Sequence, residues 1–309
     1  MGPGGASTAT PWTPSERELE RRDVRRRQRR RSLLVATTTT VVVLVLAVLA
    51  IGSSPGWPRV QQTFFSWEDA RESFPAIRDG IWLNIRLFLL CQLAILPLAM
   101  LLALARGTRS PWLAPLRLVA VTYTDVVRGI PTILLVVLMA FGVPALQLQG
   151  LTNDPTFWAG VALVISYSAY VAEVFRAGIE SVHPSQVASA RALGLRHLTI
   201  QRHVVVPQAV RRVLPPLLND FVSLQKDTAL VSALGIFEAV YTARDYGNFY
   251  FNYTPLVLVA GFFLTIALYN HIGHTFADLR LATTYGLGGA FITVAVLAGL
   301  KAIGSRLRL

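Results

Sequence analysis

Residues 172–207 read AEVFRAGIESVHPSQVASARALGLRHLTIQRHVVVP, and the rest of the chain is organised around them. The stretch leaves an apolar segment that carries Glu173 and Arg176, then enters a short helix-compatible segment, Ser185–Leu193. Gly194 breaks that segment, since glycine takes sharply turned backbone without the steric cost of a Cβ. A second amphipathic run follows, and Val204-Val205-Val206-Pro207 closes it. Apolar segments of membrane length lie on both sides, so the stretch is a structured loop between two spans. A hinged pair of short helices at a membrane face has the form of a part that receives force from a soluble partner.

Composition supports the membrane setting. The chain has 309 residues, 53% of them hydrophobic, with a mean hydropathy of +0.50, which is too apolar for an ordinary soluble domain. Several apolar runs approach the roughly 20 residues that cross a 30 Å hydrocarbon core. The lone Cys91 sits in an apolar run, so neither a disulfide framework nor a thiolate metal cluster is available. Much of the net charge of +12 is concentrated in Arg17, Arg21, Arg22, Arg25–Arg27 and Arg29–Arg31, which outweigh Glu16, Glu18, Glu20 and Asp23. This block directly precedes the apolar run Ser32–Ile51 and satisfies the positive-inside rule for a first span, a better account than nucleic-acid binding. The leader is too long for a signal peptide and no A-x-A site precedes Gly52. The expectation is a retained anchor with a cytoplasmic N-terminus.

In chain order, residues 1–31 read as a disordered basic tail, 32–51 as an extra anchor and 52–79 as an extracytoplasmic linker. A core over 80–280 holds further spans near Gly80–Leu104, Ile130–Leu146, Phe157–Ile179, Pro216–Phe237 and Tyr253–Phe276, with the loop 181–213 on the cytoplasmic side. The glycine-rich apolar run Thr283–Leu300, within 281–309, adds a further helix. The fold class is therefore all-α, a polytopic bundle of about six or seven spans.

Polar residues inside the spans are the candidate path or gating groups, because intramembrane charge is costly and marks paths or pairs. Asn84 and Gln92 either line a path or pack between helices. Arg128, in Arg128-Gly129-Ile130-Pro131, snorkels or serves a gate. Glu173 pairs with Arg176 at i,i+3, or partners Arg128 or Lys226. Lys226, with Asp220 and Asp227 nearby, falls near mid-depth and requires partners on another helix or subunit. His271, His274 and Asp278 share a helix end and read as interfacial polar groups, so no metal site is expected.

The loop resembles the EAA loop of ATP-binding-cassette importer permeases. Ala188-Ser189-Ala190, three residues, Gly194, nine residues, then Val204-Val205-Val206-Pro207 follows that pattern's spacing. The flanks GIESV (Gly178–Val182), ARALGL (Ala190–Leu195), LPPLLNDF (Leu214–Phe221) and KDTALVS (Lys226–Ser232) are similar to permeases that import polar amino acids. The likeness covers roughly Ile77 to Arg280, and it departs from the family at Ala188, which stands where the family carries glutamate. The resemblance implies a type I importer permease in the bacterial cytoplasmic membrane. It implies as partners two ATPase subunits that bind ATP-Mg, a second permease chain (identical or homologous), an extracytoplasmic binding protein and an amino-acid substrate. Gln186, Ala188, Ser189, Ala190, Gly194 and Pro207 would then couple the permease to its ATPase.

The chain has no G-x-x-x-x-G-K-[ST] loop, since Lys226 precedes Asp227 and Lys301 precedes Ala302, so ATP hydrolysis would belong to another subunit. H-E-x-x-H, C-x-x-C and G-x-S-x-G are absent too, so the protease and lipase readings lack their residues. An ion-gradient transporter with Glu173, Asp220 and Lys226 as relay groups is the alternative. Such a transporter would show paired halves, and no internal repeat is visible.

Overall fold

The computed structural model describes residues 15–108 and 110–276, with side chains as far as Leu268. The expected helix in 283–300, Asp278 and the side chains of His271 and His274 lie outside the described residues. Among the described residues the fold is helical throughout, with no strand.

Two compact units divide the chain at Gln61/Gln62. The first contains α1 (Glu16–Gly52), a single 37-residue helix with no buried residue. The arginine block from Arg17 to Arg31, expected to be disordered, is thus helical and continuous with the apolar run after it. Helix α2 (Trp57–Phe64) follows, so the expected linker 52–79 is largely helical.

In the second unit, α3 (Trp67–Gly107) is capped by Ser66, whose hydroxyl accepts the Asp69 N–H at 3.3 Å. Glu68 and Asp69 in its first turn and Arg106 in its last complement the helix dipole. It begins 13 residues earlier than the expected span at Gly80, because this capping signal lies upstream of the apolar stretch. Helix α4 (Ala114–Gly129) and α5 (Thr132–Ala145) meet at a bend of 102° across Ile130-Pro131. Pro131 supplies no N–H to continue the ladder and restrains Ile130 to extended backbone, which explains the break. Helix α6 (Pro155–Glu180) begins behind Asp154, whose carboxylate accepts the Thr156 N–H at 2.9 Å.

After the loop helices α7 (Pro184–Ala192) and α8 (His197–Ile200) comes α9 (Val206–Asp227). A 3₁₀ segment over Thr228–Leu234, α10 (Ala239–Tyr250) and α11 (Thr254–Phe276) complete the described chain. Helices α1, α2–α3 and α6 are long and apolar enough to cross a membrane; α4–α5 makes a fourth span if the bent pair is counted as one.

Helix α6 is the centre of the core, with 61% of its apolar window buried against 28% for α2–α3. Ala159, Gly160, Ala162, Ala169 and Ala172 present small side chains that let α3 and α5 approach closely, the usual solution where lipid removes the hydrophobic drive between helices. Leu87, Cys91, Ile95 and Ala99 of α3 and Val136 and Ala140 of α5 fill the facing positions. A second cluster joins Ile77, Ile81 and Ile85 of α3 to Ala239 and Ala243 of α10 and Val259.

Candidate functional site

The loop end is built in small steps. Helix α6 ends at Glu180, and the Arg212 guanidinium of α9 donates to the Ser181 carbonyl just beyond it. His183 caps α7, its Nδ1 3.2 Å from the Ser185 N–H. The far end of α7 closes as a Schellman turn: Leu195 N–H donates to the Ala190 carbonyl at 3.3 Å and Gly194 N–H to that of Arg191 at 2.9 Å. Gly194 holds φ +75°, the left-handed conformation that costs other residues roughly 1–2 kcal/mol. A Cβ there would meet nothing within 4 Å, so the requirement for glycine is conformational, not spatial.

Gln201–Val205 then forms a π turn, in which the Val206 N–H reaches back to the Gln201 carbonyl. Pro207 comes within the first turn of α9 and would leave the His203 carbonyl without its helical donor in any case, so the wider turn sits where the ladder is already interrupted. Val182, Ala190, Ile200 and Val205, with Val187 and Val204 packed beside them, make a small separate core that fixes α7 against α8 and the π turn. Outside it Ala188 and Ser189 are exposed, and Leu193 and Leu198 are 80% and 81% exposed. Gln186 is exposed but tethered, accepting from Gln208 Nε2, which also donates to the Val204 carbonyl at 2.9 Å.

An apolar groove of about 620 Å³ lies beside this assembly, lined by Ala103, Phe175, Val205, Ala209 and Val213, with Arg176 and Glu180 among its polar residues. At its wall Gly178 faces Val213 so closely that a Cβ on residue 178 would overlap the valine.

Of the charged candidates, Glu173 takes the i,i+3 pairing, accepting Arg176 Nε at 3.0 Å, and lies 3.6 Å from Arg106 of α3. Arg176 also pairs with Glu180, and Arg106 lies 3.5 Å from Asp125 of α4, so α3, α4 and α6 share one ionic cluster. Neither Arg128 nor Lys226 pairs with Glu173. Arg128 stacks over the Tyr170 ring at 5.6 Å, and the Tyr170 hydroxyl donates to its carbonyl at 3.3 Å, which ties the α4–α5 bend to α6.

Lys226 is exposed and makes no ion pair among the described residues. Asp227 accepts the Tyr167 hydroxyl at 2.8 Å. Asp220 Oδ2 and the amides of Gln92 and Gln225 are buried atoms with no hydrogen-bond partner among the described residues. Orphaned polar atoms of this kind require water, a ligand or another state of the protein to satisfy them. No contact links Glu173, Asp220 and Lys226 into a relay among the described residues, so the geometry gives the ion-gradient alternative no support.

Asn84 is hydrogen-bonded between helices. It is 1% exposed, donates to Thr228 Oγ1 at 3.1 Å and accepts the Ala239 N–H at 3.2 Å. Glu238 beside it is fully buried and caps α10, accepting the Val240 and Tyr241 N–H groups at 3.0 and 2.7 Å.

Farther along α3, Asp69 accepts the Tyr246 hydroxyl at 2.8 Å and Asn252 Nδ2 at 2.7 Å. Partial burial and the Asp69 carboxylate push the Tyr246 phenol up from its ordinary range, which keeps it a donor. Tyr167 and Asp69 were not singled out by sequence, whereas Glu238, Tyr246 and Asn252 fall in a polar, aromatic stretch, Glu238–Asn252, that reads as an outer surface. Ser66 and the acids after it carried a readable signal, that of a helix cap.

A helical bundle with several helices of membrane-spanning length and a glycine-closed pair of short helices between two of its elements has the form of a membrane transport permease. Residues 95–283 match the family described as binding-protein-dependent transport system inner membrane component, and the chain belongs to that family. It is 30% identical over 205 residues to the arginine transport system permease protein ArtQ of Bacillus subtilis (strain 168), covering 64% of this chain and 90% of that one. To the L-cystine transport system permease protein TcyB of the same organism it is 33% identical over 202 residues, 65% of this chain and 80% of the other. A solved amino acid ABC transporter described as "with histidines" superposes with a TM-score of 0.61 at 28% identity, over 72% of this chain and 97% of that one. The chain is thus a multi-pass inner-membrane permease subunit of the ABC importer kind, as its sequence pattern implied.

Proposed function

We propose that the chain carries a polar amino acid across the cytoplasmic membrane, driven by ATP hydrolysis in separate subunits that engage it through residues 181–207. The observation that carries this reading is the Schellman turn at Gly194, which holds α7 rigidly on its own small core while leaving Ala188, Ser189, Leu193 and Leu198 uncovered. Apolar side chains this exposed at the end of an ordered element mark a surface that another protein covers. Ala188 removes the carboxylate that the family pattern carries, so the contact would rest on shape and the leucines rather than on a charge pair.

The ATPase subunits would bind ATP-Mg, and this chain would bind none. A second permease chain and an extracytoplasmic binding protein complete the assembly we envisage, with the N-terminus and the α7–α8 turn on the cytoplasmic side. The names of the relatives, which give arginine and L-cystine as their cargoes, support a polar amino acid as the substrate. The orphaned polar atoms of Gln92, Asp220 and Gln225 supply unsatisfied groups within the helices that such a substrate, or its water, would meet.

The test is Gly194→Val in the reconstituted transporter, with ATP hydrolysis and uptake measured separately. The expected result is an inserted protein whose ATPase activity no longer drives uptake. Unchanged uptake would overturn the coupling role. A cysteine at position 188 should crosslink to the ATPase subunit, and failure to do so in an active complex would overturn the docking surface itself.

A further inference from the structure

The arginine block of α1 does more than report orientation. It lies outside residues 95–283, the region shared with the family, so its role stands apart from the transport reading. The backbone is helical without a break from Glu16 to Gly52, so the side chains before Ser32 are rigidly indexed to the apolar run after it. Ser32–Ile51 supplies 20 residues, or about 30 Å of helix, which equals the hydrocarbon thickness. The match places the arginines at the edge of the hydrocarbon, with helix tilt as the remaining adjustment.

Arg25, Arg26, Arg27, Arg29, Arg30 and Arg31 therefore occupy the next roughly 10 Å of helix, which spans the headgroup layer of roughly 5–8 Å and the water just outside it. At about 100° per residue these six spread over some two-thirds of the helix circumference, leaving only the side of Val24 and Gln28 uncharged. All six are exposed, and none makes an ion pair among the described residues. The ion pair between Arg22 and Glu18, at 3.1 Å, lies farther out along the helix. Asp23 lies one helical turn from Arg26 and Arg27 and offsets one of the six charges. Glu16, Glu18 and Glu20 stand roughly 12–18 Å from the middle of the block along the axis, beyond the screening length of about 8 Å at physiological salt, so the ring keeps a net positive charge.

From this we infer that Arg25–Arg31 form a collar that binds the phosphates of anionic phospholipids in the leaflet where α1 begins. Guanidinium groups present paired N–H donors that fork onto phosphate oxygens, and a basic cluster directly beside a span attracts anionic headgroups. A nucleic acid would meet the same charge. However, a ring wrapped around one helix at headgroup depth presents its donors to a surrounding sheet of phosphates rather than to one strand.

The experiment places the full chain in vesicles of phosphatidylcholine with a minority of phosphatidylglycerol, then extracts bilayer patches around the protein with an amphipathic polymer and measures their lipid ratio. Wild type should enrich phosphatidylglycerol about twofold or more over the bulk and lose that enrichment in high salt. A variant with all six collar arginines changed to Gln should show the bulk ratio, whereas R17Q/R21Q/R22Q should stay close to wild type. If the sixfold variant does not insert, R25Q/R27Q/R30Q should show about half the enrichment. Equal ratios for wild type and collar variants would overturn the inference, as would an equal loss from the distal variant. Binding of an RNA oligonucleotide by the collar without lipid enrichment would overturn it in favour of a nucleic-acid partner.

Discussion

The two ends of the α3–α6–α9 core are held by opposite means. Around Asn84 the helices meet through buried polar groups and close backbone approach: Gly80 lies so near the Ala239 backbone that a Cβ would come within 2.6 Å of its nitrogen. Asn84, Thr228 and Glu238 satisfy one another and the start of α10 with almost no exposure. At the loop end a few valines, an alanine and an isoleucine form a core of their own, and the leucines beyond it face outward. One end has its partners inside the chain. The other is ordered but leaves apolar side chains uncovered, as the proposed docking role requires.

The comparison is most easily broken at Gly80. Gly80→Val meets backbone rather than a yielding side chain, and overpacking of that kind costs about 1–3 kcal/mol or more. We expect the largest fall in thermal stability in detergent, together with poor insertion. Asn84→Leu should come next, at about 1–3 kcal/mol, because it strands the Ala239 N–H in a buried site, while the Thr228 hydroxyl keeps its bond to the Gln225 carbonyl.

Gly194→Val should cost about 1–2 kcal/mol of local strain yet leave the melting of the bundle nearly unchanged, with the damage appearing in coupled uptake. Gly194→Asn, which tolerates left-handed backbone better, should retain more of it. Leu193→Ser with Leu198→Ser should shift stability by less than about 0.5 kcal/mol, since both are exposed, while weakening copurification of the ATPase. The smallest effect belongs to Lys226→Gln. An exposed lysine with no ion pair among the described residues contributes little to the fold, so any loss of uptake without loss of stability would reveal a role in the path.

Much of the loop end was legible in the sequence because its signals are local. A glycine at a turn, a proline closing the run and a spacing between them all lie within some twenty residues. The capped start of α3 was missed because hydropathy draws the eye to the apolar stretch, while Ser66, Glu68 and Asp69 act through helix termini. The helical arginine block was missed because its composition resembles that of disordered tails, and only its continuity with Ser32–Ile51 gives it a helix to extend.

The site around Asn84 could not be read in advance. Its partners Thr228 and Ala239 lie 144 and 155 residues away, and nothing local distinguishes a path-lining asparagine from one that joins helices. Glu173 was legible only in part: its pairing with Arg176 follows from helical spacing, but the contact with Arg106 depends on how α3 crosses α6.

Helix α9 runs unbroken for 22 residues from the π turn beside the loop to Asp227, whose carboxylate holds the Tyr167 hydroxyl of α6. At 1.5 Å per residue that is a stiff rod of about 33 Å. Pro215 and Pro216 interrupt its hydrogen-bond ladder midway, so the rod has one softer joint between the loop end and the orphaned Asp220 and Gln225. Under the proposed coupling, a push on the outer tip would reach the polar interior through that joint, as a swing of the inner half of the helix.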